Sequence, residues 1–231
     1  MPLRYRNIIF DFDGTLVDSK RDIAGAQLRV LHHLGVHTHQ PEDLFRHIGK
    51  PLDETFRALL PASLHHRIDE AAELYAEYYI PRSLVTTTLF PGVKDTLKDL
   101  VGAGCRLAIA STKKGGGIHR VTEHFGITGN FVQLQGSDGL PFKPDPAILW
   151  KILADQHWND DASLMVGDTD KDILAGKRAG LATCAVTYGS LTADELRRYS
   201  PDFCIDRFRD LLAAVHGDVQ IPEGRDAYES R

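Results

Sequence analysis

Four places along the chain hold residue types that do chemistry. Asp11 and Asp13 stand one residue apart at the end of the apolar run Ile8-Ile9-Phe10, followed by Gly14 and Thr15. Ser111 and Thr112 follow Leu107-Ala108-Ile109-Ala110, and Lys143 sits in Phe142-Lys143-Pro144-Asp145-Pro146. Leu164-Met165-Val166-Gly167 runs into Asp168-Thr169-Asp170-Lys171-Asp172. Together they supply what phosphoryl transfer requires: a carboxylate nucleophile, a second carboxyl to manage protons, acidic ligands for a hard cation, and a hydroxyl and an ammonium for phosphate oxygens. Mg²⁺ takes few carboxylates and fills the rest of its shell with water and substrate oxygens, which suits aspartates brought in from separate strands. Asp and Gly after a strand are also ordinary turn residues, so the first pair alone decides nothing. Only the four places together complete one site.

The elements that must bring them together follow from pattern. Ile8 to Phe10 reads as a buried parallel strand, with Gly14 allowing the turn that presents both acids at its tip. From Asp18 to about Thr86 the pattern is helical: a stripe of Ile23, Gln27, Val30, Leu31 and Leu34 stopped by Gly35, short helices opening at Pro41 and Leu52, and a longer one from Ser63 to Tyr79. After Phe90-Pro91-Gly92, helix and strand alternate as in parallel βαβ units, with strands at 105–110, 131–135, 163–166, 181–186 and 203–205. The expected fold is therefore α/β, a Rossmann-like parallel sheet core formed by residues 1–17 and 87–217, interrupted by a helical cap at 18–86. The tail, 218–231, is polar and expected to be flexible. Ligands of open α/β sheets bind outside the carboxyl ends of the strands, so an insert placed directly after the first tip is positioned to act as a lid.

The chain has 231 residues, 42% hydrophobic and 26% charged, with a formal charge of -5, which suits a globular protein and gives no overall basic character for nucleic acid. Cys105, Cys184 and Cys204 lack metal-ligand spacing and sit in apolar runs, so they are expected as reduced packing residues of a cytoplasmic protein. No apolar run is long enough to span a membrane, and the first six residues leave no room for a signal segment before the first strand. The expected partner is a small phosphorylated metabolite, with no nucleic acid and no membrane, for a monomer or homodimer.

With Asp11-Phe12-Asp13-Gly14-Thr15, Ser111, Lys143 and Gly167-Asp168-Thr169-Asp170-Lys171-Asp172 in order, the chain resembles the haloacid dehalogenase superfamily, in the group with a helical cap after the first motif and with likeness to phosphoglycolate phosphatases. The resemblance covers almost the whole chain to about residue 190. It implies that Asp11 attacks phosphorus to form an aspartyl-phosphate, and that Asp13 protonates the leaving alcohol and then activates water. It implies a Mg²⁺ cofactor held by Asp11, the backbone carbonyl of Asp13, and Asp168. Asp172, one helical turn beyond Asp168, would hold the metal's waters. Ser111 and Lys143 would bind the phosphate, with Thr112 beside them and Thr15 setting the turn and contributing to the same phosphate-binding group.

In many relatives Asn and then Lys follow the serine; here the sequence is Thr112-Lys113-Lys114, then Gly115-Gly116-Gly117, which reads as a flexible turn rather than a phosphate loop because no G-K-[ST] follows. The cap is rich in histidine, and His37-Thr38-His39 lacks partners for a transition metal, so solvated histidines are expected. Lys50, held in Gly49-Lys50-Pro51, is the candidate specificity residue for an anionic leaving group, with Arg82 behind it. A sugar phosphomutase, a pyrophosphatase and a phosphonate hydrolase are the alternatives within the superfamily, the last opposed by Asp13. A non-catalytic phospho-aspartate switch is the alternative of another class, and it gives no reason for a lid or for an acid two residues after the nucleophile.

Overall fold

The computed structural model describes residues 2–217, so the expectation for 218–231 lies outside the described residues. Six strands form one parallel sheet: β1 (Asn7–Phe10), β4 (Arg106–Ala110), β5 (Phe131–Gln135), β6 (Ser163–Gly167), β7 (Ala182–Val186) and β8 (Phe203–Ile205), in the order β5-β4-β1-β6-β7-β8. Two further strands, β2 (Val17–Asp18) and β3 (Thr88–Leu89), pair antiparallel as a short ribbon.

Each inner strand is buried on both faces and its side chains alternate between two cores. Ile8 and Phe10 of β1, Leu107 and Ile109 of β4, and Leu164 and Val166 of β6 enter one core, against α5 (Val93–Gly102), α6 (Gly115–His124) and α10 (Leu211–Ala214). Ile9, Ala108, Ala110 and Met165 enter the other, against α7 (Ala147–Gln156) and α8 (Asp170–Arg178). This is the period-two alternation of a strand covered by helices on both sides, each buried large side chain contributing about 1.5–3 kcal/mol. A short α9 (Ala193–Arg197), opened by Thr192 capping with Glu195, completes the sheet's surroundings.

Between β2 and β3 the chain forms α1 (Lys20–His33), α2 (Pro41–Leu44), α3 (Leu52–Leu59) and α4 (Ile68–Tyr79), which pack around their own apolar cluster of Val30, Leu31, Leu44, Phe56, Leu59 and Ile68. The two crossings between sheet and helices are tied at Asp22. Its carboxylate accepts from the backbone N–H and the hydroxyl of both Thr86 and Thr87, at 2.8–3.1 Å.

Two local expectations change. The helix expected from Ser63 to Tyr79 opens as a 3₁₀ segment over Ala62–Arg67 before α4, whose first regular turn carries Asp69 and Glu70. The three glycines at 115–117 are not a flexible turn but the first turn of α6. Extended Lys114 starts that helix, and the Asp138 carboxylate accepts from the Gly115 N–H at 2.8 Å, satisfying one of the orphan donors of its first turn. All three cysteines are free, with Cys105 and Cys184 buried. Among the described residues no helix is long and apolar enough to cross a membrane.

Candidate active site

The strand order reverses its direction of travel at β1, whose neighbours β4 and β6 belong to chain segments on either side of the crossover. That is where open α/β sheets leave a crevice beyond their carboxyl ends. The tips of β1, β4 and β6 deliver Asp11, Ser111 and Asp168 there, and Asp11 N–H extends the ladder by donating to the Val166 carbonyl at 2.8 Å.

Lys143 enters from the loop before α7 and is almost wholly buried. Its ammonium donates to Asp11 Oδ1 at 2.6 Å, Asp172 Oδ1 at 2.5 Å and the Ala110 carbonyl at 3.0 Å. Three acceptors match its three hydrogens, so the charge is fully satisfied without water. Burial alone would lower the Lys143 pKa, but Asp11 and Asp172 outweigh it and raise it. Asp168 is fully buried; Thr15 Oγ1 donates to its Oδ1 at 3.1 Å and the Ser190 N–H to its Oδ2 at 2.7 Å. The backbone is cut to fit around this carboxylate. Gly14 has φ +94°, and a Cβ there would collide with the Asp168 carboxyl group.

The carboxylates crowd one another. Atoms of Asp11, Asp168 and Asp172 lie within 4.8 Å of each other, all buried. Burial first, and then the charges of Asp172 and Asp168, hold Asp11 well above the usual carboxylate range in spite of Lys143. Burial and Asp172 push Asp168 up to about 6, against the hydrogen bonds from Ser190 and Thr15. One ammonium among three buried carboxylates leaves negative charge uncompensated, and hard oxygens in this number fit a Mg²⁺ ion.

Several placements differ from expectation. Asp168 directly follows β6 and precedes α8, so it shares no helical face with Asp172; the two meet because Asp172 caps that helix, its Oδ2 accepting from Thr169 N–H at 3.0 Å and Oγ1 at 2.6 Å. With its other oxygen on Lys143, Asp172 orients the lysine as well as bordering the carboxylate cluster. Thr15, expected among the phosphate-binding residues, is fully buried with its hydroxyl on Asp168. Lys50 turns to Glu54 at 3.8 Å; the pocket above Asp11 and Asp13 is bordered from the helical insert by Ile48 and Gly49 instead. Thr112, Lys143 and Lys171 border it from the sheet side. Ser111 is buried, its Oγ accepting from the Lys113 N–H at 3.1 Å. His39 is bonded to the Leu59 carbonyl at 3.0 Å, and His47 is buried, so neither is simply solvated.

Sequence reasoning left out two residues that hold the Asp13 carboxylate. Ser19 Oγ donates to its Oδ1 at 2.5 Å, and the Lys113 ammonium lies 3.0 Å from its Oδ2. Lys113 also reaches the Tyr79 hydroxyl at 2.8 Å. Its place two residues after Ser111 was the available signal.

Residues 8–186 match the family model described as haloacid dehalogenase-like hydrolase. A phosphoglycolate phosphatase of Aquifex aeolicus (strain VF5) is 34% identical over 216 residues, covering 93% of this chain and 98% of that protein. A pyrophosphatase of Anoxybacillus flavithermus (strain DSM 21510 / WK1) is 31% identical over 214 residues, covering 92% and 98%. Among solved structures, a predicted phosphoglycolate phosphatase from Haemophilus somnus 129pt superposes with a TM-score of 0.81 at 26% identity, covering 91% of this chain and 98% of that one.

Proposed function

The chain belongs to the haloacid dehalogenase-like hydrolase family, and from that membership we propose that it is a Mg²⁺-dependent phosphatase acting on a small phosphomonoester through an aspartyl-phosphate on Asp11. The observation that carries the reading is Asp11 itself, at a strand tip under the pocket, 2.6 Å from the buried Lys143 ammonium and beside the Asp168–Asp172 pair.

In the first step the Asp11 carboxylate attacks phosphorus as the bond to the leaving oxygen breaks, and Asp13 gives that oxygen a proton. In the second, Asp13 takes a proton from water, whose oxygen attacks phosphorus, releasing phosphate and restoring Asp11. Ser111 and Lys143 would hold phosphate oxygens, Lys143 by exchanging one of its three present acceptors for the phosphate, and Thr112 borders the pocket with Lys143. Asp11, the backbone carbonyl of Asp13, and Asp168 would hold Mg²⁺, with Asp172 outside them; the cation supplies charge compensation for the carboxylates and the phosphoryl oxygens. Ile48 and Gly49 border the pocket from the insert and would restrict bulk water there, apart from the one that Asp13 activates.

The leaving group is read as small and anionic, a carboxylate or a second phosphate, because Lys171 stands at the pocket with no carboxylate partner among the described residues. Phosphoglycolate meets that description and so does pyrophosphate, the latter favoured as second reading by the pyrophosphatase relative. Asp11→Asn is expected to abolish phosphate release from p-nitrophenyl phosphate while melting as a folded protein; retained turnover overturns the nucleophile. A panel of 2-phosphoglycolate, pyrophosphate and sugar phosphates with Mg²⁺, scored for phosphate and for isomerised sugar phosphate, separates phosphatase, pyrophosphatase and mutase.

A further inference from the structure

We propose that Lys113 is a positioning residue that aligns Asp13 for proton transfer only while the helical insert stands in its present place, with Tyr79 as the anchor on the insert side. The inference rests on the phosphatase reading. Asp13 is held by both of its oxygens, by one residue at the start of the insert and by one that is tied to the end of its last helix. Ser19, donating to Oδ1, directly precedes α1, the insert's first helix. Lys113, on Oδ2, belongs to the sheet side but is tied to Tyr79, the last residue of α4. The direction of the Asp13 carboxyl group is therefore set jointly by where the insert leaves the core and by where it returns.

The contact is built rather than incidental. The side chains of Lys113 and Asp13 are each only 10% exposed, which makes their pairing resistant to solvent screening. The Lys113 ammonium lies 4.7 Å from the Tyr79 ring centroid, and Tyr79 is braced by Tyr75, stacked at 5.2 Å and 8°. Two core cations meet this helix end, since Arg120 of α6 donates to the Ile80 carbonyl at 2.6 Å, and a helix C-terminus favours positive charge. The glycine turn of α6 makes room for the lysine. A Cβ at Gly117 would stand 3.0 Å from the Lys113 Cδ and 3.1 Å from its Cγ. Of the three glycines it is Gly117 that lies along the Lys113 stem.

When the P–O bond to the leaving group breaks, the proton passes from an Asp13 oxygen to the departing oxygen, so its placement matters in proportion to how much the leaving group needs that proton. An alkoxide needs it; p-nitrophenolate leaves without it. The test compares kcat/KM, which reports steps up to leaving-group departure, for glycerol 3-phosphate and 2-phosphoglycolate against p-nitrophenyl phosphate, in Lys113→Met and Tyr79→Phe. Lys113→Met is expected to lose about 100-fold on the alkyl phosphates, the low end of what a general acid contributes, and less than about threefold on p-nitrophenyl phosphate. Tyr79→Phe keeps the stacked ring, is expected to fold, and should show the same selectivity at about tenfold. Equal losses on both substrate types, or none, overturn the positioning role while leaving the phosphatase reading in place. Wild-type protein that releases phosphate from none of the three overturns that reading and this proposal with it.

Discussion

At the scale of single residues, the site is dominated by charge that the protein itself does not balance. Asp168 is pushed up to about 6 by burial and by Asp172, against about 3.9 for an unperturbed aspartate. Between those values the folded, metal-free protein binds more protons than the unfolded chain, so this group makes stability fall as pH rises from about 4 to about 6. A metal ligand must be ionised, so cation binding reverses the sign. The rise in Tm produced by Mg²⁺ over EDTA is expected to be small at pH 5 and to grow through pH 6 to a plateau; an increment independent of pH would remove Asp168 from the ligand set. Lys143→Met probes the same balance from the other side. Taking the Lys143 ammonium from between Asp11 and Asp172 should cost about 3–5 kcal/mol in EDTA, read from urea unfolding. Part of that should return with Mg²⁺. Asp11, Asp13, Ser111 and Asp168 were legible because each follows an apolar run that ends in a polar residue. Lys113 was signalled only by its place two residues after Ser111, and its role was not legible because its partners Asp13 and Tyr79 come from other elements.

At the scale of elements, capping and anchoring decide what composition leaves open. The glycines at 115–117 look like a loop by propensity, yet they form the first turn of α6, where Asp138 accepts from the Gly115 N–H and Gly117 leaves room for the Lys113 stem. The misplaced helical face of Asp168 and Asp172 has a similar origin. Their spacing of four suggests one turn, but Thr169 is the N-cap and only Asp172 lies within α8. Asp22 is the element-level anchor that the pattern could not reveal, since its partners lie 64 and 65 residues away. Burial opposes its ionisation, but the hydrogen bonds from Thr86 and Thr87 prevail and lower its pKa. With the folded value below the unfolded one, its stabilisation is present above about pH 4 and is lost as pH falls through the folded value. Asp22→Ala strips a partner from the hydroxyl and N–H of buried Thr87 and of exposed Thr86, and is expected to cost about 2–3 kcal/mol at neutral pH in urea unfolding. The difference from wild type should shrink in acid, and a constant difference from pH 7 to pH 3 would mean that the carboxylate charge is not what holds the two crossings.

At the scale of the whole molecule, the α/β core was readable because buried parallel strands announce themselves as apolar runs between helical segments. The mutual placement of sheet and insert was not, since it depends on a few contacts at the ribbon, Asp22 and Lys113. What the structure adds is that the cores are physically separate: the sheet's two apolar clusters share no residue with the cluster around Phe56. Phe56 is fully buried among Val30, Leu31, Leu44, Leu59 and Ile68, and Phe56→Ala should destabilise the insert by about 3–5 kcal/mol through lost burial and the cavity left behind. The carboxylate cluster belongs to the sheet side, with Asp11 and Asp168 just beyond strand tips and Asp172 on α8, so Mg²⁺ bound there would act on the sheet's stability and not directly on the insert's. Calorimetry of Phe56→Ala is therefore expected to show the unfolding split in two, an early transition insensitive to Mg²⁺ and a later one that Mg²⁺ raises. A single transition, shifted as a whole by both the substitution and the cation, would show instead that the contacts at Asp22 and Lys113 couple the two cores strongly enough for them to melt as one.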